Sequence, residues 1–262
     1  MDNLTICIPT HAIKTETRGP YVGMKQQIPT APSSKLVHAV IVDLLKKTNL
    51  NHNIAIHIGF DKRNNRDIDS EYEKNLMQLE DIYPNLKVIV NASDTEDPIV
   101  TAPQNFINLI DSVETKYYLF WEHDWIFKKD IDLIPILKEM DTNDCINWIK
   151  FSQFPNNNTV VDFIPEQFKN ENPSSTIPLI PTNRWSNNPY ICRTSVFQDW
   201  WKTFVYPTDE EGGFVEGPLN VFFKYYMEKQ GIEKAMKTFK CFIYGNWDDE
   251  SIVTHLNGYR VI

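Results

Sequence analysis

Glycine is scarce in this chain, nine in 262 residues, and no two or three of them form G-x-G-x-x-G or G-x-x-x-x-G-K-[ST]. Those patterns set backbone amides against phosphate, so their absence excludes the usual dinucleotide fold and the P-loop; any phosphate must be held differently. H-E-x-x-H and G-x-S-x-G are missing too, which removes the commonest metalloprotease and esterase signatures. Cysteine is also rare. Cys7, Cys145, Cys192 and Cys241 lie far apart and make no C-x-x-C pair, so neither a zinc framework nor a redox motif is expected, and the thiols are expected to be reduced. Long apolar runs are absent, since even Val37 to Leu45 is broken by His38 and Asp43; no transmembrane segment is expected. The strand-like run starts just after Met-Asp-Asn, without a basic or apolar leader, so the expected location is cytoplasmic. Basic residues are outnumbered, 26 against 35 acidic, giving a net charge of −9 that disfavours nucleic acid and anionic membranes as partners. The acidic excess gathers at Asp67 to Glu73, Asp94 to Asp97, Asp209 to Glu211 and Asp248 to Glu250, each read as a solvated turn.

What is present is enough for a packed core: 42% hydrophobic residues, 13% aromatic. The first half alternates short apolar strands with helical patterns, the sign of a parallel sheet flanked by helices. Strands are expected at Leu4 to Thr10, Asn53 to Asp61, Leu86 to Asn91, Lys116 to Phe127 (with its exit) and Ile146 to Ser152. Helical spacing covers Ser33 to Thr48, capped by Ser33 or Ser34, then Ser70 to Ile82, Ala102 to Glu114 and Ile131 to Met140. Prolines and asparagines crowd Phe154 to Pro189, so that stretch is expected to be irregular or edge structure and to serve as a binding loop. Regular structure should return at Tyr190 to Phe197, in a helix Leu219 to Lys229 ended by Gly231, and in a strand Lys240 to Tyr244. The expectation is one α/β domain over residues 1–262, with a nucleotide-type front half (1–130) and an acceptor half (131–262).

One polar cluster stands out inside an aromatic run. Glu122, His123 and Asp124 follow Tyr117-Tyr118-Leu119-Phe120-Trp121, and on an extended chain positions i and i+2 point the same way. Two carboxylates at a buried strand end attract a hard cation; magnesium and manganese share themselves between one or two carboxylates and a substrate's phosphates. The competing reading is a polar strand exit facing water.

Pro9-Thr10-His11 at the end of the first strand, Asp61 at the end of the second, the E-x-D at the fourth and a late Thr254-His255 together resemble a GT-A glycosyltransferase. The resemblance covers nearly the whole chain in order of elements. It is similar most of all to the inverting enzymes with an x-E-D base motif, and departs from their pattern in having Glu122 at the first D-x-D position and Gly217 where that motif would have Asp after Glu216. It implies a GT-A, Rossmann-like, mainly parallel mixed sheet, a nucleoside-diphosphate sugar as donor, Mn2+ or Mg2+ as cofactor, and a hydroxyl of a glycan or other acceptor. Under it Asp124 is a direct metal ligand and His255 the second. Glu122 reaches the ribose, the donor sugar, or the metal through water, while His123 fills the turn. Thr10, His11, Asp61, Gln104 and Asn105 face the nucleoside, with turn or helix capping as the competing role for Thr10, Gln104 and Asn105 and a solvated loop for Asp61. Arg260 would meet the diphosphate unless it is a surface arginine.

Glu216 sits among glycines just before a helix, where close approach of a substrate is permitted; as general base it would take the proton of the acceptor hydroxyl, and its alternative role is a helix-entry carboxylate. Asp209, Glu210 and Glu211 are the fallback bases. Aromatic rings stack on sugar faces, so Arg184, Trp185 and Asn187 in the irregular segment are expected at the acceptor. Two rivals remain at this level. A nucleotidyltransferase also uses paired carboxylates, but commonly with a glycine-rich basic loop that Lys14 and Arg18 do not supply. A carbohydrate-binding protein would use the aromatics without metal or nucleotide.

Overall fold

A computed structural model describes residues 3–12, 32–63, 66–93, 98–157, 175–205 and 215–255. In chain order the elements are β1 (Leu4–His11), α1 (Lys35–Thr48), β2 (Ala55–Arg63), α2 (Asp67–Met77), β3 (Leu86–Ser93), α3 (Pro98–Asp111), β4 (Tyr117–Phe120) and β5 (Trp125–Phe127). Then follow α4 (Leu133–Thr142), β6 (Trp148–Lys150), β7 (Leu179–Pro181), β8 (Tyr190–Arg193), α5 (Thr194–Asp199), α6 (Glu216–Gln230), α7 (Ile232–Phe239), β9 (Cys241–Tyr244) and β10 (Val253–His255).

Among the described residues eight strands form one sheet in the order β3-β2-β1-β4-β8-β6-β9-β7, parallel from β3 to β4. β8 runs antiparallel to both β4 and β6, and β7 antiparallel to β9, so β6 and β9 point the same way as β1 to β4. Alternating side chains supply two cores. Ile6 and Ile8 of β1 join Val40, Ile41 and Tyr72 on the α1 and α2 face. Cys7 joins Leu109, Trp148, Trp185 and Phe223 on the α3 and α6 face. This is the expected α/β architecture, a mostly parallel mixed sheet between helices.

Local signals account for several boundaries. Asn49 closes α1 in the left-handed conformation with Lys46 and Lys47 in the last turn, Asp132 caps α4 by accepting from the Ile134 N–H at 3.0 Å, and Gly231 stops α6 at φ 83°. Pro181 lies in the edge strand β7, where a missing donor costs least. One expected element is divided. Lys116 to Phe127 does not continue as a single strand: after Phe120 the chain turns out of the sheet, and Trp125–Phe127 pairs antiparallel with β10 in a separate two-stranded ribbon. The ribbon lies against α1, where Lys47 Nζ donates to the Phe127 carbonyl. The cause is the aromatic content of the turn: Trp121 Nε1 donates to the Trp125 carbonyl at 2.8 Å, pinning a tight reversal under two buried indoles. α7 and β10 were not expected from the periodicity. Of the stretch Phe154 to Pro189, residues 158–174 lie outside the described residues, and the remainder holds β7.

Candidate active site

Strand order reverses between β1 and β4, since β2 and β3 extend to one side of β1 and the rest of the sheet to the other. Ligands of open α/β sheets bind outside the carboxyl ends at such a reversal. His11 and the turn Trp121 to Asp124 flank it: the His11 and His123 rings meet edge-to-face at 5.2 Å, and His123 Nδ1 lies 3.3 Å from the Pro9 carbonyl oxygen. Trp121 N–H donates to the Cys7 carbonyl at 2.9 Å, so the E-x-D turn starts from a fixed point.

The ribbon brings the two expected metal ligands together. β10 pairs with β5 so that His255 lies opposite Trp125; their rings meet tilted at 36° with centroids 3.7 Å apart, and His255 Nδ1 comes to 3.2 Å from Asp124 Oδ2. Both side chains keep some access to solvent, 12% for His255 and 22% for Asp124. His255 is the last residue of β10. Glu122 Oε2 accepts from Trp125 Nε1 at 3.1 Å, which turns this carboxylate toward the ribbon. Among the described residues no group of three or more His, Cys, Asp or Glu could hold a metal. A two-ligand site suits an ion that keeps its waters and takes phosphate oxygens, so Asp124 and His255 fit Mg2+ or Mn2+ as a shared rather than a caged ion.

At the carboxyl ends of β1, β2 and β3, His11, Asp61 and Asn91 form one row. Asp61 is 6% exposed; its Oδ2 accepts from Thr101 Oγ1 at 2.7 Å, while Oδ1 is buried with no hydrogen-bond partner. Burial raises its pKa above the usual carboxylate value, and the Thr101 hydroxyl and the Arg63 charge offset this only in part. A buried carboxylate oxygen without a donor is a cost that a ligand N–H or O–H would relieve.

Two other expected contacts are directed elsewhere. Thr10 is buried on the opposite face of β1, with its Oγ1 2.8 Å from the Tyr72 hydroxyl of α2. Asn105 is buried in a chain of side-chain amides: Gln104 Nε2 donates to Asn108 Oδ1 at 2.7 Å, Asn108 to Asn91, Asn91 to Asn105, and Asn105 Nδ2 to the Gly59 carbonyl at 3.0 Å. Both ends of the Asn105 amide are therefore used to hold α3 on β2 and β3. Gly59 is needed beneath it, because a Cβ there would lie 2.9 Å from Asn105 Oδ1. Gln104, at the outer end, is exposed.

The acceptor candidates divide as well. Trp185 is wholly buried, stacked on Trp148 at 5.1 Å and edge-on to Trp201 at 5.0 Å, so it offers no ring face to a sugar; the expectation for it is corrected to core. Its neighbours differ. Arg184 is exposed, and Asn187 is buried with an unpartnered Oδ1, close to the carboxyl end of β6, where Phe151 N–H donates to the Pro189 carbonyl at 2.8 Å. Glu216 opens α6 and is half-buried. Asn220, one turn on, clasps the loop: it accepts from the Trp185 N–H at 2.9 Å and donates to the Trp185 carbonyl at 3.1 Å. So Glu216 and the Arg184 to Asn187 loop, expected separately, are joined by a residue the sequence reading did not single out, although its i+4 spacing from Glu216 was legible. Asp209, Glu210, Glu211 and Arg260, and Lys14 and Arg18, lie outside the described residues. Lys150, also passed over in sequence, is wholly buried near the carboxyl edge.

Against known proteins, no family model matches the sequence and no curated protein does. Among solved structures the chain is similar to S. aureus TarS 1–349, with a TM-score of 0.50 at 13% identity over 96% of this chain and 59% of that one. It also matches a mannosyltransferase, PcManGT from Pyrobaculum calidifontis in complex with GDP-Man and Mn2+ (TM-score 0.47, 6% identity, 81% and 50% covered). A CMP:2-keto-3-deoxy-manno-octonic acid synthetase complexed with CTP matches with a TM-score of 0.46 at 11% identity, 92% and 88% covered. Our chain thus spans 59% of the length of TarS 1–349, and at such identities the likeness establishes fold alone. That fold is the GT-A type that the motifs resemble.

Proposed function

We propose that the chain is a metal-dependent glycosyltransferase that moves a sugar from a nucleoside-diphosphate donor to a hydroxyl of a glycan or other acceptor, with inversion. The observation that carries this reading is the convergence of Asp124 and His255, 3.2 Å apart, at the point where strand order reverses. His11 and Asp61 take the nucleoside, with Asp61 Oδ1 as an acceptor that the protein leaves unused. Glu122 orients the ribose or the donor sugar. Arg184 and Asn187 hold the acceptor, and Glu216 removes the proton from its hydroxyl opposite the departing diphosphate. A divalent ion held by Asp124 and His255 supplies positive charge for the leaving diphosphate, which the net charge of −9 otherwise disfavours.

The test is a thermal-shift panel of UDP, GDP, CDP and dTDP, each with and without Mn2+. One nucleotide should stabilise the protein, and only with metal; Asp124→Ala should remove that stabilisation. Unchanged metal-dependent affinity of Asp124→Ala in calorimetry would overturn the metal assignment. Stabilisation by a nucleoside triphosphate and not by any diphosphate would move the chain to the nucleotidyltransferases.

A further inference from the structure

Trp125, 3% exposed and the first residue of β5, has each of its polar groups engaged at the E-x-D turn. Its N–H donates to the Glu122 carbonyl at 3.2 Å, its own carbonyl accepts from Trp121 Nε1 at 2.8 Å, and its indole Nε1 donates to Glu122 Oε2 at 3.1 Å. The ring is used as well. The His255 imidazole lies against it, tilted by 36° with centroids 3.7 Å apart, and the pairing of β10 with β5 sets His255 directly opposite. A rigid side chain held at this many points fixes the groups that touch it. What it fixes is a separation. On an extended chain Glu122 and Asp124 would point the same way and, with His255, would make a trio of ligands. Instead His123 and Asp124 form a turn: Asp124 Oδ2 lies 3.2 Å from His255 Nδ1, Glu122 Oε2 goes to the indole edge, and among the described residues no group of three His, Cys, Asp or Glu could hold a metal.

We infer that Trp125 is a positioning residue that sorts the two carboxylates of the E-x-D turn: its indole N–H reserves Glu122 for the sugar nucleotide, and its ring face keeps His255 beside Asp124. The identity of the ligands rests on the glycosyltransferase reading; the separation of Glu122 from the Asp124 and His255 pair does not. An indole nitrogen donates and never accepts, so it attracts a carboxylate and offers a cation nothing. Three protein ligands would hold a hard cation whether or not nucleotide is bound. Two leave most of an octahedron to water and phosphate oxygens, so binding of the ion stays linked to binding of the diphosphate. Each carboxylate of the turn then has one task.

Trp125→Phe keeps a ring against His255 and removes the N–H. With free Mn2+ counted by electron paramagnetic resonance in the absence of nucleotide, this variant should bind the ion about tenfold more tightly than wild type, because Glu122 joins the pair; a merely structural tryptophan would leave the affinity unchanged or lower it. Adding Glu122→Gln should cancel the gain, to within about twofold of Glu122→Gln alone. Equal affinity of Trp125→Phe and wild type, or a gain that survives Glu122→Gln, overturns the sorting. The share of the ring is read on the Glu122→Gln background, where Trp125→Leu should bind Mn2+ about tenfold more weakly than Trp125→Phe. Equal affinities there overturn the support of His255, and Trp125→Met takes the place of Trp125→Leu if the latter does not fold. These counts use no nucleotide, so the two readings fail separately. The expected Mn2+ counts without stabilisation by any nucleotide refute the glycosyltransferase reading alone; metal-dependent stabilisation by one nucleotide without the gain in Trp125→Phe refutes the sorting alone.

Discussion

Asp61 carries the clearest opposition between stability and binding at a single residue. Its pKa is raised, chiefly by burial, so the native state holds the proton more tightly than the unfolded chain does. The sign follows: between the unfolded value of about 4 and the raised native value, stability falls as pH rises, and the full cost is present above the native value. Asp61→Asn should therefore raise Tm at pH 7, remove the fall in stability that sets in above about pH 4, and weaken nucleotide affinity roughly 10- to 100-fold through the lost charged acceptor. Paired melting and calorimetry check this; unchanged affinity with raised Tm would leave Asp61 a merely structural residue. The location of Asp61 at a strand end was legible in sequence. Its orphaned oxygen was not, because the α3 donor that reaches this carboxylate, the Thr101 hydroxyl, is committed to the other oxygen. Trp185 makes the opposite case: its composition suits sugar stacking, and only the contact with Trp148 and Trp201 shows the ring already covered.

Elements that are short or irregular here are held by polar side chains of their neighbours. Glu139 of α4 accepts from the Thr176 N–H at 3.0 Å, the Thr176 hydroxyl and Asn143 Nδ2 at 3.2 Å, and so fixes the approach to β7. Burial raises the Glu139 pKa, and these hydrogen bonds outweigh it, so the net shift is downward. Stability from this group is complete above the unfolded value of about 4.3 and is lost as pH falls through the lowered native value. Glu139→Ala should cost about 1 to 3 kcal/mol at pH 7, with faster hydrogen exchange at Thr176 and Ile177, and the difference from wild type should shrink at acid pH. An undiminished difference below the native value would assign the effect to packing instead. Helix α6 was legible through its apolar spacing and Gly231, but its start at Glu216 and its clasp on the Trp185 loop depend on Asn220, whose partners are backbone groups 35 residues away in sequence.

On the scale of the whole molecule, two cores lie on opposite faces of one sheet and share its strands. Trp121 and Trp125 belong to one face, Trp148, Trp185 and Trp201 to the other. Neither layer can lose its packing without uncovering strands that support the other, so urea unfolding followed by tryptophan fluorescence and by far-UV circular dichroism should give coincident transitions. A fluorescence step at lower urea than the loss of ellipticity would show that the two layers lose their packing separately.

The sequence by itself determined the class of fold, the places of β1, β2, β3 and β4, and the chemistry of the strand ends, because burial imposes periodicity and polar residues at the close of an apolar strand have few other reasons to be there. It also carried Asp124 and His255, through the resemblance rather than through any spacing between them. The tertiary structure alone decided that the E-x-D turn leaves the main sheet, that β10 returns to set His255 beside Asp124, and that Thr10 and Asn105 serve the scaffold. Strand order and helix direction are set by contacts between residues remote in sequence, and local patterns record which face of an element is buried without recording against what.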